Sequence, residues 1–144
     1  MSAPDGPLAD NPASAHAELA HTLSAAPSSI ALLRHAVAQF AREGGANDAA
    51  LEDLALAVSE AVTNAVIHAY ADEDEPGPVT LTACVSDATI DVTVSDIGRG
   101  LRPRIDSPGA GLGLPLIAQM ADSMTMRCAP GSGTELRMSF GLKR

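Results

Sequence analysis

The residue types in this chain that can perform chemistry fall into four clusters in a fixed order. The first is a polar row on a predicted helix, Glu60, Asn64 and His68, and glycine-bearing clusters follow at 96–100, 109–113 and 131–134. Together they supply a metal ligand, a base, an acidic group that could read a purine edge, and loops that could close over phosphates. These clusters predict a nucleotide-binding site.

The polar row places its side chains on one side of a helix, because residues four apart are neighbours on the helix surface. The amide oxygen of Asn64 is a hard, neutral ligand suited to Mg²⁺, and the carboxylate of Glu60 could accept a proton from an attacking hydroxyl. A solvated helix face explains the same pair when it is taken alone. His68 could contact a phosphate or support the C-terminus of the helix, and the sequence leaves both open.

The second cluster begins with Asp96, at the end of a predicted strand, and continues with Gly98 and Gly100. A carboxylate there, followed by glycines that let the backbone approach a ligand, can accept a hydrogen bond from an exocyclic amine such as that of adenine. An ordinary Asp-x-Gly turn is the alternative. In the fourth cluster a hairpin turn explains the glycines, whereas the hydroxyl of Thr134 could also lie near the base or the phosphates.

The third cluster precedes a short predicted helix, at about 112–121, whose free N–H groups and dipole favour an anion. Its members are Gly109, Gly111, Leu112 and Gly113. No Gly-Lys-Ser/Thr follows, which excludes a Walker A loop, and the residues before it form a loop instead of the strand that a Rossmann fingerprint needs. Arg102 and Arg104 in that loop could reach a terminal phosphate, although exposed arginines in loops usually have no such task.

Length and composition limit the classes of function. A chain of 144 residues predicts one domain with a single core, and with only two Phe and one Tyr that core must be aliphatic. Nine basic against eighteen acidic residues, a net charge of −9, argue against direct nucleic-acid binding. No apolar run is long enough to span a membrane and no secretory signal is visible, so we expect a cytoplasmic protein.

Helical patterns define the first half of the chain. We expect a flexible tail over 1–15 and one domain over 16–144, which opens with a weak first strand at 19–25. A helix should start near Pro27 and stop at the glycine pair 44–45, and a longer one should run from an Asn47 N-cap to about Tyr70. In this second helix the predicted core stripe is Leu51, Leu54, Val58, Val62 and Ala65. The polar row falls on a different face.

Alternating apolar and polar residues define the second half. Four strands are predicted, around 79–85, 90–95, 124–128 and 136–140. The result is an α+β fold, a two-layer α/β sandwich in which helices cover one face of a mixed, mostly antiparallel sheet. Parity places Cys84 on the polar face and Cys128 on the apolar face, so no disulfide is expected between them.

The four clusters resemble the sequence boxes of the GHKL (Bergerat-fold) ATP-binding superfamily, which includes histidine kinases, type II topoisomerase subunits, Hsp90 and mismatch-repair ATPases. The run 56–70, with its Glu-x-x-x-Asn-x-x-x-His-Ala-Tyr pattern, is similar to the N box, 96–100 to the G1 box, 109–114 to the G2 box and 131–134 to the last glycine box. The short length and the form of the N box resemble most the bacterial anti-sigma factor serine/threonine kinases of the SpoIIAB and RsbW type. This resemblance extends from about Leu19 to Arg144.

The resemblance implies ATP and Mg²⁺ as cofactors and assigns a role to each cluster. Asn64 would hold Mg²⁺, Glu60 would be the general base, Asp96 would bind the adenine amine, and 109–113 would cradle the phosphates. The implied nucleotide-binding residues are Asn64, His68, Asp96, Gly98, Gly100, Arg104, Gly109, Gly111, Leu112, Gly113 and Thr134.

The implied partners are a sigma factor, which the kinase sequesters, and a STAS-domain anti-sigma antagonist, which it phosphorylates. Neither nucleic acid nor a membrane is an expected partner, and the resemblance also allows a homodimer. A sensor histidine kinase is disfavoured because no helix pair with a phosphoacceptor histidine precedes the N box. The remaining competitor is a non-catalytic, ATP-responsive binding module, against which Glu60 argues because a pure binder needs no base.

Overall fold

The computed structural model of the chain describes residues 17–100, 113–129 and 131–144. In chain order the elements are β1 (Ala17–Ser24), α1 (Pro27–Glu43), α2 (Asp48–Asn64), a π-helical segment (Ala65–Ala69), β2 (Pro78–Val85), β3 (Thr89–Asp96), α3 (Leu114–Met120), β4 (Ser123–Ala129) and β5 (Gly133–Gly141). The predicted tail over 1–15 lies outside the described residues, so the division into tail and domain stays a prediction.

The five strands form one sheet in the order β1-β2-β3-β5-β4, and all four pairings are antiparallel. The two-layer α+β architecture is confirmed, but the mixed character expected of the sheet is absent among the described strands. The reason is visible at β1 and β2, which are joined by the helical hairpin of α1 and α2. The hairpin returns the chain to the end of β1, where the amide of Ala25 donates to the carbonyl of Gly77 at 2.8 Å, so β2 runs back along β1.

The strand alternation divides the sheet into a buried and an open face, as predicted. The helices pack on one face, where every second residue of the central strands is buried. These buried residues are Val79, Leu81, Ala83, Ile90, Val92, Val94, Leu136, Met138 and Phe140. Asp96 and Thr134 continue the same face at one end of the sheet. The alternation therefore delivers two candidate site residues to the helix-covered side.

Both predicted helix starts are confirmed, and local chemistry explains them. Pro27 opens α1, where its fixed φ suits the first turn, and the side chain of Asn47 accepts from the amide of Ala50 at 3.0 Å at the start of α2. The chain leaves α1 at Gly44. In the part of the chain that the structure describes, no helix combines the length and the hydrophobicity that crossing a bilayer requires.

The predicted stripe of α2 is buried, but so is part of the polar row. Asn64 is only 4% exposed, and the small residues Ala57 and Ala61 that precede it on the helix are also buried. Packing against α1, α3 and the sheet covers α2 on more than one side, and alanines allow that close approach. The separation of a core face from a solvated polar face was therefore wrong for Asn64.

The second helix also ends differently from the prediction of one helix running to Tyr70. Its α-helical part stops at Asn64, and Ala65–Ala69 form a π-helical turn. Just before this turn the hydroxyl of Ser59 donates to the carbonyl of Ala55 at 2.7 Å, and that of Thr63 donates to the carbonyl of Ser59 at 2.6 Å. Such bonds from side chains to the preceding turn bend helices, and π turns are frequent at functional sites.

Neither cysteine is part of a disulfide, as predicted. Cys84 is half-buried on the open face. Cys128 was expected on the apolar face and is instead exposed, although it has the same parity as Met124 and Met126, which are half-buried. The strand parity was right, but β4 is an edge strand and Cys128 lies near its end, where parity no longer guarantees burial.

Candidate nucleotide site

Glu60 on α2 lies against Gly113, the residue immediately before α3, and this contact brings the first and third clusters together. A Cβ atom at Gly113 would lie 3.1 Å from the Cβ and 3.2 Å from the Cδ of Glu60. Gly113 also has a φ of +62°, so both space and backbone conformation require glycine here. The other predicted members of that cluster, Gly109, Gly111 and Leu112, lie outside the described residues, as do Arg102 and Arg104.

Asn64 follows Glu60 by one helical turn and is buried. Amides are seldom buried in the interior of a helix unless polar groups contact them, since a lost hydrogen bond costs about 1–3 kcal/mol. The burial removes the solvated helix face as an explanation for this residue. Asn64 thus places a neutral oxygen that could ligate a metal inside the protein, one helical turn from the carboxylate of Glu60.

Asp96 is the last residue of β3 and is half-buried opposite Thr134 of β5. Its Oδ1 accepts from the backbone amide of Gly98 at 3.0 Å, so the Asp-x-Gly turn proposed as the simpler explanation does exist. Burial raises the pKa of the Asp96 carboxyl, while hydrogen bonds from the backbone of Gly98 and Thr134 oppose that shift. The turn therefore orients the carboxylate, and a purine-reading role is compatible with it.

Two glycines allow the second cluster to touch its neighbours. A Cβ at Gly98 would lie 2.6 Å from the carbonyl carbon of Ala69, at the end of the π-helical segment. A Cβ at Gly133, where φ is +87°, would lie 2.8 Å from the carbonyl carbon of Asp96. An open cavity of about 630 Å³ adjoins this point, with Asp96 and Thr134 in its lining. The second and fourth clusters are thus in direct contact.

His68 is half-buried, and both burial and the positive charge of Arg99 lower its pKa. Near pH 7 the imidazole is therefore mostly neutral, so at the helix end it is a polar group more than a cation. Its backbone carbonyl accepts from Nε of Arg99 at 2.9 Å. The phosphate contact remains a prediction.

Arg99 and Tyr70 are the residues that sequence reasoning missed. The backbone amide of Arg99 donates to the carbonyl of Ala69 at 2.9 Å, and its Nη1 donates to Asp72 at 3.1 Å. The hydroxyl of Tyr70 contacts both the G1 turn and the start of β2. The only available signal was their position, since Tyr70 ends the N-box run and Arg99 lies between Gly98 and Gly100.

The chemistry of these groups fits a purine nucleotide and a magnesium ion. A half-buried carboxylate borders the cavity as a hydrogen-bond acceptor, and a buried amide oxygen is a ligand of the kind that Mg²⁺ accepts. Among the described residues, no group of three or more His, Cys, Asp or Glu side chains could hold a metal. Magnesium often takes one or two protein ligands and shares phosphate oxygens, which suits a single amide.

Comparison with known proteins decides the family. The profile described as a histidine kinase-like ATPase domain matches residues 23–140. The chain belongs to this family. Family membership implies the use of ATP.

Two anti-sigma F factors are among the similar proteins. The one from Caldanaerobacter subterraneus is 33% identical over 117 residues, covering 74% of this chain and 80% of the relative. The one from Pasteuria penetrans is 34% identical over 119 residues, covering 75% and 79%. The serine-protein kinase RsbW of Listeria monocytogenes is 37% identical over 86 residues, covering 60% and 54%. Within the histidine kinase-like ATPases the chain groups with the anti-sigma factor kinases, which confirms the resemblance.

Solved structures confirm the fold of this histidine kinase-like ATPase. The RsbU and RsbW domains of a Mycobacterium tuberculosis protein align with a TM-score of 0.69 and 23% identity, over 88% of this chain and 32% of that one. A blue-light activated histidine kinase of Erythrobacter litoralis aligns with a TM-score of 0.57 and 29% identity, over 67% and 32%. In each case this chain corresponds to about a third of the solved chain.

Proposed function

We propose that this chain is an ATP-dependent protein serine/threonine kinase that sequesters a sigma factor and phosphorylates a STAS-domain anti-sigma antagonist. The observation that carries the proposal is the position of Glu60, against Gly113 at the N-cap of α3 and one turn from the buried Asn64. A cytoplasmic location and a homodimer are parts of the same proposal, and the names of the relatives support its sigma-factor part.

The transfer step needs a base, a bound nucleotide and a fixed phosphate. Glu60 takes the proton from a serine or threonine hydroxyl of the antagonist as the oxygen bonds to the γ-phosphorus. The bond from that phosphorus to the bridging oxygen breaks, and ADP leaves. Asp96 holds the adenine amine, and Asn64 would hold Mg²⁺, which when bound neutralises charge on the transferred phosphoryl group. The residues at 109–113 and Arg104 would contact the phosphates.

The role of Glu60 can be tested with an isosteric substitution. Wild-type chain, Glu60→Gln and Glu52→Gln are each incubated with γ-labelled ATP, Mg²⁺ and a STAS-domain protein from the same organism. We expect Glu60→Gln to transfer phosphate at least about 100-fold more slowly, because a general base contributes about 10²–10⁴-fold. Its ATP affinity, measured by calorimetry, should stay within about twofold of wild type.

Glu52→Gln is the matched control, since Glu52 is exposed on the same helix and should transfer phosphate at the wild-type rate. Undiminished transfer by Glu60→Gln would refute the proposed base. If wild-type protein binds ATP but labels no STAS protein, the non-catalytic binding module becomes the better explanation.

The partners can be identified by affinity capture from an extract of the native cell, with and without ATP. We expect a sigma factor and a STAS-domain protein among the captured chains. Recovery of neither would contradict the partner assignment while leaving the nucleotide site intact.

A further inference from the structure

Tyr70, the only tyrosine in the sequence, makes two hydrogen bonds with its hydroxyl group at the edge of the candidate site. The hydroxyl oxygen accepts from the backbone amide of Ile97 at 3.0 Å, and the O–H group donates to the carbonyl of Pro78 at 2.5 Å. Tyr70 directly follows the π-helical segment, and these bonds connect the end of that segment to the turn after β3 and to the first residue of β2. In the sequence, Pro78 is eight positions and Ile97 is 27 positions from Tyr70.

The ring of Tyr70 is held in place by a glycine. A Cβ atom at Gly77 would lie 2.5 Å from Cε1 and 2.6 Å from Cζ of the ring, so the backbone of Gly77 lies directly against it. Burial raises the pKa of the Tyr70 hydroxyl above its ordinary value of 10.0. The hydroxyl therefore stays protonated near neutral pH, as its bond to Pro78 requires.

The bond to Ile97 bears directly on Asp96. The side chain of Ile97 is 70% exposed, so core packing does not hold this residue. Its amide belongs to the peptide group that follows Asp96, and the Asp96 carboxylate is tied to the next amide, that of Gly98. On the other side, Asp96 pairs with Val79, the neighbour of Pro78. Tyr70 thus holds the backbone on both sides of the carboxylate.

We propose that Tyr70 is a positioning residue for base recognition, whose hydroxyl sets the direction in which the Asp96 carboxylate meets the purine. The proposal rests on the proposed function, because it takes Asp96 as the group that binds the adenine amine. Arg99 supports the same turn through the carbonyls of His68 and Ala69. The end of the N box and the purine-reading turn therefore form one connected unit.

The test separates positioning of the base from simple stabilisation. Calorimetry with Mg²⁺ gives the affinities of wild type and Tyr70→Phe for ATP and for inosine triphosphate, which has a carbonyl in place of the amine. We expect the phenylalanine variant to lose about 5- to 20-fold in ATP affinity, as for a hydrogen bond left unmade, and less than about twofold in inosine triphosphate affinity. The preference for ATP, which is the ratio of the ATP affinity to the inosine triphosphate affinity, should therefore fall.

A control loses a comparable side-chain bond at the far end of the same hairpin. The hydroxyls of Ser86 and Thr89 are 2.9 Å apart, so Ser86→Ala should keep the wild-type preference. A second variant, Gly77→Ala, pushes on the ring without removing the hydroxyl and should lower the preference in the same direction as Tyr70→Phe. It provides the test if the phenylalanine variant does not fold.

An unchanged preference in Tyr70→Phe overturns the inference, and so does a parallel loss for both nucleotides, since a structural role lowers both alike. Wild-type protein that binds neither nucleotide overturns the proposed function instead, and this inference with it. Wild-type protein that binds both equally removes Asp96 as the purine reader but leaves the kinase proposal standing.

Discussion

Asp96 has opposing effects on folding and on binding. Its carboxylate is half-buried at the end of β3. Burial raises the pKa of Asp96 above its ordinary value of 3.8, because it outweighs the opposing hydrogen bonds from backbone amides. The folded state therefore holds this proton more tightly than the unfolded chain does. Ionisation of this carboxyl group therefore destabilises the folded state. Such a destabilising group is expected where a side chain serves ligand binding and not folding.

This conflict predicts how Asp96→Asn behaves with pH. In the wild type the contribution of Asp96 to stability is fully present below pH 3.8 and is lost as pH rises through the raised pKa of the folded state. The asparagine does not titrate but can still accept from Gly98. We therefore expect the free energy of unfolding of the variant, minus that of the wild type, to increase with pH across this interval.

Urea unfolding at several pH values from about 3.5 to 7 measures that difference. His68, whose pKa is lowered, contributes equally to both proteins and cancels in the subtraction. Asp91→Asn, at an exposed position of the same strand, gives the effect of the substitution itself. A difference that does not change with pH would contradict the prediction, whereas ATP affinity should fall in Asp96→Asn alone.

The β4–β5 turn shows how an element places a candidate site residue. Gly131 and Gly133 both have positive φ, at +76° and +87°. A Cβ at Gly131 would meet nothing within 4 Å, whereas one at Gly133 would overlap the backbone that follows β3. The first glycine serves only the turn, and the second also lets β5 bring Thr134 beside Asp96.

The two glycines form a matched pair for alanine substitution. We expect Gly131→Ala to lower the free energy of unfolding by about 1–2 kcal/mol, the cost of a left-handed non-glycine residue. Gly133→Ala should lose at least twice as much, because crowding adds to the same backbone cost. Chemical denaturation measures both. Equal losses would contradict this, because they would mean that the backbone around Asp96 can shift to accommodate the added methyl group at no cost in free energy.

The whole molecule assembles the candidate site from four clusters that are distant in sequence and meet only after folding. The contacts of Glu60 with Gly113, of Ala69 with Gly98 and of Asp96 with Gly133 join them in pairs. A ligand that bridges such clusters binds the folded state and not the unfolded chain. The net charge of −9 opposes an anionic nucleotide, which makes a cation important to binding.

Nucleotide should therefore stabilise the fold in a magnesium-dependent way. At an ATP concentration about 100 times the dissociation constant, with Mg²⁺, we expect the free energy of unfolding to rise by about 2.7 kcal/mol. ATP with a chelator should give a smaller rise. Thermal and urea unfolding in the two conditions provide the measurement. Equal stabilisation with and without Mg²⁺ would remove the metal role of Asn64.

Sequence alone determined the features that depend on neighbouring residues. The N-cap at Asn47, the start of α1 at Pro27 and the alternation along the central strands were all predictable, because capping and side-chain periodicity act over a few positions. The boxes themselves could be recognised as a resemblance for the same reason. Each is a short run of residues.

Tertiary structure decided which side chains are buried and which residues meet. The burial of Asn64 depends on α1, α3 and the sheet closing around α2, and the exposure of Cys128 depends on where an edge strand ends. The bond from the Ile97 amide to Tyr70 joins residues 27 positions apart. The periodicity of a helix or strand specifies the direction in which each side chain leaves the axis of that element. Whether the side chain is buried, and what it contacts, depends on which other parts of the chain pack against that side.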